Sequence, residues 1–552
     1  MLLQIRKNAP FKMRNKDEWL LRDKCFLSFS DEGTWKISLN SFEKKGKGWI
    51  ELRTLFNEIS KEIQSKNKGN QQRKLVVWVN RLALFWKVIQ VCFPQDKFFF
   101  DEYEGFKGSI LFSISSSLYS FRNFDAIAGQ PAKKIGQLYR FGGNEIDIMK
   151  QYFEFKQYEN WAKVCWSAGH MYEKEFEQSV EKNATKEELR LLHFETKVRA
   201  KAGNNLLNTY IYRSGKGGLI GFDKKIQNKI IHNVYSFDIN QAYGAQFVRA
   251  NDFPLGEVHL SMRPLAEVLQ QDWFYLVFEW NYEIRPPFSC YTVFKENDKW
   301  FLGLEKADLD CLKIAGYKLP KGWKIHAQFV CNKIGYLNNA IRKEINNMYL
   351  KRKTDKSLTS GERDILKQKG EVIYGKGLQM REIKFKYFCP QISYHALAKT
   401  RLEIIMMIAR LGSVVAWDSD CIKTQNPQAK AIFEQRNAEI NKENTEAGFN
   451  GTIIGLWKDE ANGGCFENFI QFKKKVYAYE LKGKLICKFA GCNSEQLEQW
   501  IIDAEPSIYD LKSVPAGMPT KECWIYEDGD FWIHTLFSDY SLEENFIEKE
   551  VI

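Results

Sequence analysis

Apolar positions along the chain change period several times. Short β-branched or aromatic runs predict strands at Lys74–Val79, Ser109–Ile114 and Val234–Ile239. Helical patterning covers Leu52–Gln64 and Asn144–Phe155, and a polar, strongly helical stretch, Tyr172–Val198, closes the first region. The segment Tyr212–Gly221, rich in glycine and basic residues, marks a junction. Further on, two basic helices, Leu337–Arg352 and Gly361–Leu378, precede a long apolar helix, Ser393–Leu411, and a short strand, Ser413–Trp417. Near the end, strand-like runs Phe472–Tyr479 and Lys484–Phe489 flank the turn dipeptide Lys482-Gly483 as a hairpin. No internal repeat or long low-complexity segment interrupts this order.

A length of 552 residues suits two to four domains, and 44% hydrophobic with 14% aromatic residues excludes disorder as the overall state. The longest apolar candidate, Leu402–Trp417, is broken by Glu403, Arg410 and Gly412, which excludes it as a membrane span. The first residues carry no apolar core of a secretory signal, and the 12 cysteines are scattered without a CxxC pair. Reduced thiols in the cytoplasm are therefore expected, with neither a zinc ribbon nor a disulfide framework. The net charge is +12. Its placement says more: Ile341–Tyr387 holds 13 Lys/Arg against 6 Asp/Glu, whereas the chain from Lys521 onward holds 9 acidic against 2 basic residues. A basic stretch suits a polyanion and equally suits a solvated helix face.

Two acidic sites stand out. In Phe237-Asp238-Ile239-Asn240-Gln241-Ala242-Tyr243 a strand ends in a carboxylate. In Val414-Val415-Ala416-Trp417-Asp418-Ser419-Asp420-Cys421-Ile422 two strand segments join across Asp-Ser-Asp, so a tight turn projects Asp418 and Asp420 from one hairpin end. Clustered carboxylates are costly unless solvated or neutralised by a cation, and Mg²⁺ (or Mn²⁺) suits one or two carboxylates plus substrate phosphates. Each motif alone equally fits an ordinary turn or a strand-ending cap. A third element lies in the basic segment, where Arg363, Lys367, Glu371 and Tyr374 share one helix face. Two cations and a tyrosine there suit a triphosphate with its base.

In order, these three elements resemble motifs A, B and C of family B DNA polymerases, and specifically the protein-primed bacteriophage branch. Lys475-Val476-Tyr477 resembles that branch's K-x-Y motif and follows Trp457-Lys458-Asp459-Glu460. Tyr212-Arg213 with Gly217-Gly218 resembles its Y-x-G-G linker, and the correspondence is collinear over about 212–491. The resemblance implies that Asp238 and Asp420 hold metal ions, with Asp418 beside them as a third catalytic carboxylate. It implies that Tyr243 stacks under the sugar and selects deoxynucleotides, that Arg363 and Lys367 contact the triphosphate, and that Tyr374 lines the nascent base pair. Lys475 and Tyr477 would touch the primer strand, and Tyr212 and Arg213 the template.

Motif A reads Gln241-Ala242-Tyr243-Gly244 where the family has Ser-Leu-Tyr-Pro. Glu371 stands in place of the motif B asparagine, and Ala416 and Cys421 replace a tyrosine and a serine of motif C. The editing exonuclease of the resembled branch is degenerate here: Asn80 survives, Leu84 stands where a metal-binding aspartate belongs, and Cys25–Ser30 holds no carboxylate. Glu145 is the remnant of the third exonuclease motif. A divergent alignment in which Asp31, Glu32, Asp101 or Glu102 supplies the ligands is the alternative.

The expected fold is thus a multidomain α/β and α+β chain, an RNase H-like exonuclease fold followed by a right-hand polymerase with palm, fingers and thumb. Expected boundaries are 1–195 for an inactive exonuclease-like domain and 196–260 for the linker and first palm segment. An insertion resembling the terminal-protein-contacting region would occupy 261–340, fingers 341–388, palm 389–482 and an acidic thumb 483–552. The expected function is template-directed addition of deoxynucleotides to a 3′-hydroxyl or a protein primer, for phage or mobile-element replication and without proofreading. Expected partners are template and primer DNA, deoxynucleoside triphosphates and a terminal protein, with no membrane. The rival readings are a repurposed polymerase with relaxed template use and a non-catalytic DNA- or protein-binding relative.

Overall fold

The computed structural model describes residues 23–30, 34–40, 42–66, 74–80, 82, 85, 98–100, 109–114, 117–128, 131–156, 168–199, 203–215, 217–281, 286, 288–317, 324–378, 387–490, 492, 494–511, 519–527 and 530–537. They divide into two compact units: Met1–Glu175 with Lys356–Lys369 and Tyr526–Trp532, and the remainder.

The first unit is built on a seven-stranded mixed sheet. Its order is Phe42–Lys47, Thr34–Leu39, Cys25–Phe29, Lys74–Val79, Ser117–Asn123, Ser109–Ile114, Phe98–Phe100. The central strand Lys74–Val79 runs parallel to both neighbours, and the outer pairs are antiparallel. Strand Cys25–Phe29 is apolar on both faces because both are covered. Leu27 and Phe29 pack with Leu52, Leu55 and Phe56 of helix Trp49–Lys66. On the other face Phe26 meets Phe153 of helix Glu145–Phe155 edge to face at 5.5 Å. The latter helix starts where its sequence signals: Asn144 and Asp147 form a reciprocal capping box. The predicted single helix Tyr172–Val198 is instead two, Ala168–Asn183 and Lys186–Arg199. Thr185 and Glu188 form a second capping box, with amide-to-side-chain bonds of 3.1 and 2.8 Å, and restart the helix there.

The second unit centres on an eight-stranded antiparallel sheet. Its main path is Lys484–Phe489, Val476–Leu481, Phe466–Lys473, Ile230–Ile239, Cys421–Thr424, Val414–Asp418, Ile220–Phe222, and Trp457–Asp459 also pairs with Ile230–Ile239. A second antiparallel sheet of five strands has the order Val258–Leu260, Ile325–Cys331, Phe274–Trp280, Lys299–Glu305, Phe294–Glu296. Helix Pro390–Leu411 packs with both sheets, its Ile404, Ile405 and Met407 with Phe237 and Leu276, and its Tyr394 and Leu397 with Tyr275 and Val277. That double coverage explains a helix apolar on nearly all sides.

Several of its charged residues are paired internally. Arg401 binds Asp308 at 2.9 Å, Glu403 binds Arg436 at 2.7 Å, and His395 lies between Glu305 and Asp252. These buried partners also set the proton affinities, raising His395 to about 9 and lowering Glu403 to about 2 despite burial. Among the described residues, no helix is long and apolar enough to cross a membrane.

The expected strand Phe472–Tyr479 is divided. Phe466–Lys473 ends and Val476–Leu481 begins across a tight turn in which Lys475 adopts a left-handed φ of 60°. The turn is encoded only by a run of lysines, Lys473-Lys474-Lys475, which carries no turn signature. The hairpin to Lys484–Phe489 forms as predicted, with both turn residues, Lys482 and Gly483, at positive φ.

Candidate active site

Two adjacent strands deliver the carboxylates. Asp238 is the penultimate residue of Ile230–Ile239, and Asp418 ends Val414–Asp418. The hairpin reverses across two residues, with Ser419 at φ 54° and the Asp420 amide donating to the Asp418 carbonyl at 2.5 Å. Cys421 stands opposite Asp238, and the Asp420 carbonyl accepts the Ile239 amide at 2.8 Å. The register therefore brings Asp238 and Asp420 together.

Partial burial and mutual repulsion raise both proton affinities. Asp238 is pushed up to about 7 by burial first, then by Asp420 and Glu460. Asp420 is pushed up to about 6 by burial first, then by Asp418 and Glu460. The folded protein thus holds these protons more tightly than the unfolded chain. The cluster's contribution to stability is greatest at low pH and falls as pH rises from about 4 to about 7. In metal-free buffer Asp420→Asn should raise Tm by several degrees at pH 8 and leave it nearly unchanged at pH 4.5. Equal shifts at the two pH values, measured by calorimetry, would contradict the crowding.

Glu460 is the site residue that motif reading passed over. Strand Trp457–Asp459 pairs with Ile230–Ile239, and the Glu460 amide donates to the Ser236 carbonyl at 2.9 Å. The Ser236 hydroxyl in turn binds the Glu460 carboxylate. Ser236 and Asp238 share a strand face, so Glu460 adds its charge to that face. Lys423, buried at 3% exposure, is one of the balancing cations, with Lys458 and Lys475. The Lys423 Nζ lies 3.1 Å from Cys421 Sγ and 4.6 Å from the centre of the Tyr477 ring. The sequence signal for Glu460 is its position beside Trp457-Lys458-Asp459; nothing in the local sequence singles out Lys423.

Among the described residues, no three or more acidic, histidine or cysteine side chains form a ready-made metal cage. The donor set is instead two crowded carboxylates whose charge seeks a counter-ion, which fits an open Mg²⁺ site completed by substrate oxygens. Asp418 is differently occupied, with one carboxylate oxygen 3.2 Å from Lys475 Nζ.

Tyr243 sits in the first turn of helix Ala242–Arg249, and its ring stacks on Tyr374 at 4.0 Å and 14°. Gln241 takes a left-handed φ of 55° to start that helix, and a Cβ on Gly370 would come 2.1 Å from its side-chain nitrogen. Arg363, Lys367, Glu371 and Tyr374 all lie on helix Ser360–Gly377 as predicted. The residues to Lys369 are counted with the first unit and those from Gly370 with the second.

The junction segment reaches the acidic turn directly. The Ser419 amide donates to the Leu219 carbonyl at 2.8 Å, and a Cβ on Gly218 would come 2.4 Å from Ser419 Oγ. Glycine is therefore required at 218 for this close approach. Arg401 anchors the same segment through two bonds to the Gly217 carbonyl, at 2.7 and 3.2 Å. Tyr212 and Arg213 lie on helix Gly203–Ser214; Tyr212 is half-buried, and Arg213 is exposed and paired with Glu296 at 3.2 Å. Lys475 and Tyr477 lie on the turn and strand next to the acidic site.

Of the degenerate exonuclease positions, Asn80 is buried and its amide nitrogen binds the Glu145 carboxylate. Leu84 lies outside the described residues, as do Asp31, Glu32, Asp101 and Glu102.

No family model matches the chain, and no curated protein matches it in sequence. Solved structures do. Phi29 DNA polymerase complexed with primer-template DNA aligns over 93% of this chain and 99% of its own, at 13% identity and a TM-score of 0.61. The chain has the fold of phi29 DNA polymerase. The same polymerase complexed with primer-template DNA and incoming nucleotide gives a TM-score of 0.59 over 93% and 98% of the two chains, at 13% identity. Its complex with single-stranded DNA gives 0.58 over 94% and 98%, also at 13% identity. The expected architecture, an exonuclease-type fold followed by a right-hand polymerase fold, is therefore the one adopted.

Proposed function

We propose that this chain is a template-directed DNA polymerase that transfers deoxynucleotides in line to a 3′-hydroxyl or to a protein primer. The observation that carries this reading is the closeness of Asp238, on strand Ile230–Ile239, to Asp420, in the turn that opens the adjacent strand Cys421–Thr424, crowded enough to raise both proton affinities. Divalent cations bound there would activate the attacking hydroxyl and stabilise the leaving pyrophosphate. Asp238 and Asp420 hold those cations, and Glu460 and Lys423 set the charge around them. Tyr243, stacked with Tyr374, closes the space beneath the sugar and excludes a 2′-hydroxyl. Arg363 and Lys367 neutralise the triphosphate. Lys475 exchanges its bond to Asp418 for the primer phosphate, beside Tyr477, while Tyr212 and Arg213 guide the template. Phi29 DNA polymerase has been solved with primer-template DNA and incoming nucleotide, which supports the same ligands here. The test is extension of a labelled primer on a defined template in Mg²⁺; full-length product is expected, and none in Mg²⁺ or Mn²⁺ would overturn the reading.

A second reading, relaxed template use, is favoured by Glu371, an exposed carboxylate on the helix that carries the two triphosphate-binding cations.

The N-terminal unit retains a nuclease-type fold without its chemistry. Strand Cys25–Phe29 carries no acidic residue, and Glu145 is engaged by Asn80. The protein is expected not to shorten a single-stranded 3′ end in Mg²⁺ or Mn²⁺. Clean 3′–5′ degradation that persists in Asp420→Ala would show a live second site.

A further inference from the structure

A cleft of about 780 Å³ lies in the first unit, between one end of the sheet and the start of helix Glu145–Phe155. Its lining includes four lysines, two serines and a threonine. Strand register builds two rows across its floor. Ser28 stands opposite Lys36, which stands opposite Lys45. One step along, Ser30 Oγ lies 2.5 Å from Thr34 Oγ1, and Thr34 stands opposite Lys47. Because side chains alternate along a strand, Ser28, Ser30, Thr34, Lys36, Lys45 and Lys47 share one face. Lys133 and Glu145 line the remaining wall.

Like charges directly opposite one another, as at Lys36 and Lys45, destabilise a sheet unless something neutralises them. Glu43 does so for Lys36, at 3.0 Å, and for Lys150, at 2.7 Å. Those two lysines hold the Glu43 carboxyl down at about 2. Lys45, Lys47 and Lys133 have no ion-pair partner among the described residues. With Lys36 neutralised by Glu43, three lysines against the single carboxylate of Glu145 leave the described lining net positive. The volume suits one nucleotide-sized ligand, and Ile148 adds apolar surface for a base.

We propose that this cleft binds a nucleoside di- or triphosphate without cutting it, as a site separate from the acidic cluster of the other unit. The phosphate chain would lie along the Lys45 and Lys47 rows, its negative charge matching the lysine excess.

The test is lysine footprinting of the full chain by amine acetylation and mass spectrometry, with EDTA present to silence metal-dependent binding elsewhere. dTDP and dTTP are expected to protect Lys45, Lys47 and Lys133 at concentrations where inorganic phosphate and oligothymidylate do not. Titration calorimetry should show Lys45→Gln/Lys47→Gln weakening dTTP binding about tenfold or more. Glu145→Gln should strengthen it severalfold, because it removes a carboxylate facing the anion. Melting curves of the variants confirm that they remain folded. Labelling unchanged by nucleotide, protection as strong from inorganic phosphate, or protection by oligothymidylate alone would each overturn the assignment.

Discussion

Replacing Asp238 or Asp420 by alanine is expected to lower single-nucleotide incorporation by at least about a thousandfold, since these two carboxylates are the proposed holders of the cations that stabilise the transition state. The two residues are the carboxylates that strand register brings side by side. Glu460 is tied to Ser236 and is not placed to substitute. Both variants should fold and bind primer-template DNA as well as the wild type, because removing one of several crowded carboxylates relieves repulsion. Single-turnover incorporation alongside DNA-binding titrations separates the outcomes. Residual incorporation by Asp238→Ala within about tenfold of wild type would remove it from the catalytic centre.

A second large effect concerns product length. A loop able to encircle DNA would have to fit between helix Ser360–Gly377 and the Asp418–Asp420 turn. Here only 43 residues separate Tyr374 from Asp418. Helices Ser360–Gly377 and Pro390–Leu411 and the start of strand Val414–Asp418 account for most of them. The interval between the two helices holds only 12 residues, no more than two strands of about five residues and a two-residue turn would use. The acidic C-terminal segment also weakens any grip on phosphates. The protein alone is therefore expected to make short products and to displace strands poorly. On primed circular single-stranded DNA with a trap, multi-kilobase product from one binding event would refute this.

Much of the site was legible because it is local in sequence. Asp-Ser-Asp between two apolar runs encodes its own hairpin, and Asp238 ends a strand that the β-branched pattern marks. What was not legible is non-local. Glu460 joins the cluster through the pairing of Trp457–Asp459 with Ile230–Ile239, a register no single segment encodes. Lys423 reads as a polar residue on a strand until Tyr477 and Cys421 enclose it. Arg401 interrupts an apolar helix for no local reason; its partners, Asp308 and Gly217, lie far away in the chain. Likewise, the split of Phe472–Tyr479 depends on a turn forced on a lysine run by the sheet, which overrides propensity. The helix break at Ala184-Thr185, by contrast, was written in the chain as Thr185-x-x-Glu188.

The central claim, that this chain copies a template, is tested most directly by single-nucleotide insertion opposite each of the four template bases in Mg²⁺, with each deoxynucleotide offered separately. The account predicts that the complementary nucleotide is favoured in kcat/KM by about a hundredfold or more at every template base. The same nucleotide preferred whatever the template, or no insertion at all, would contradict it.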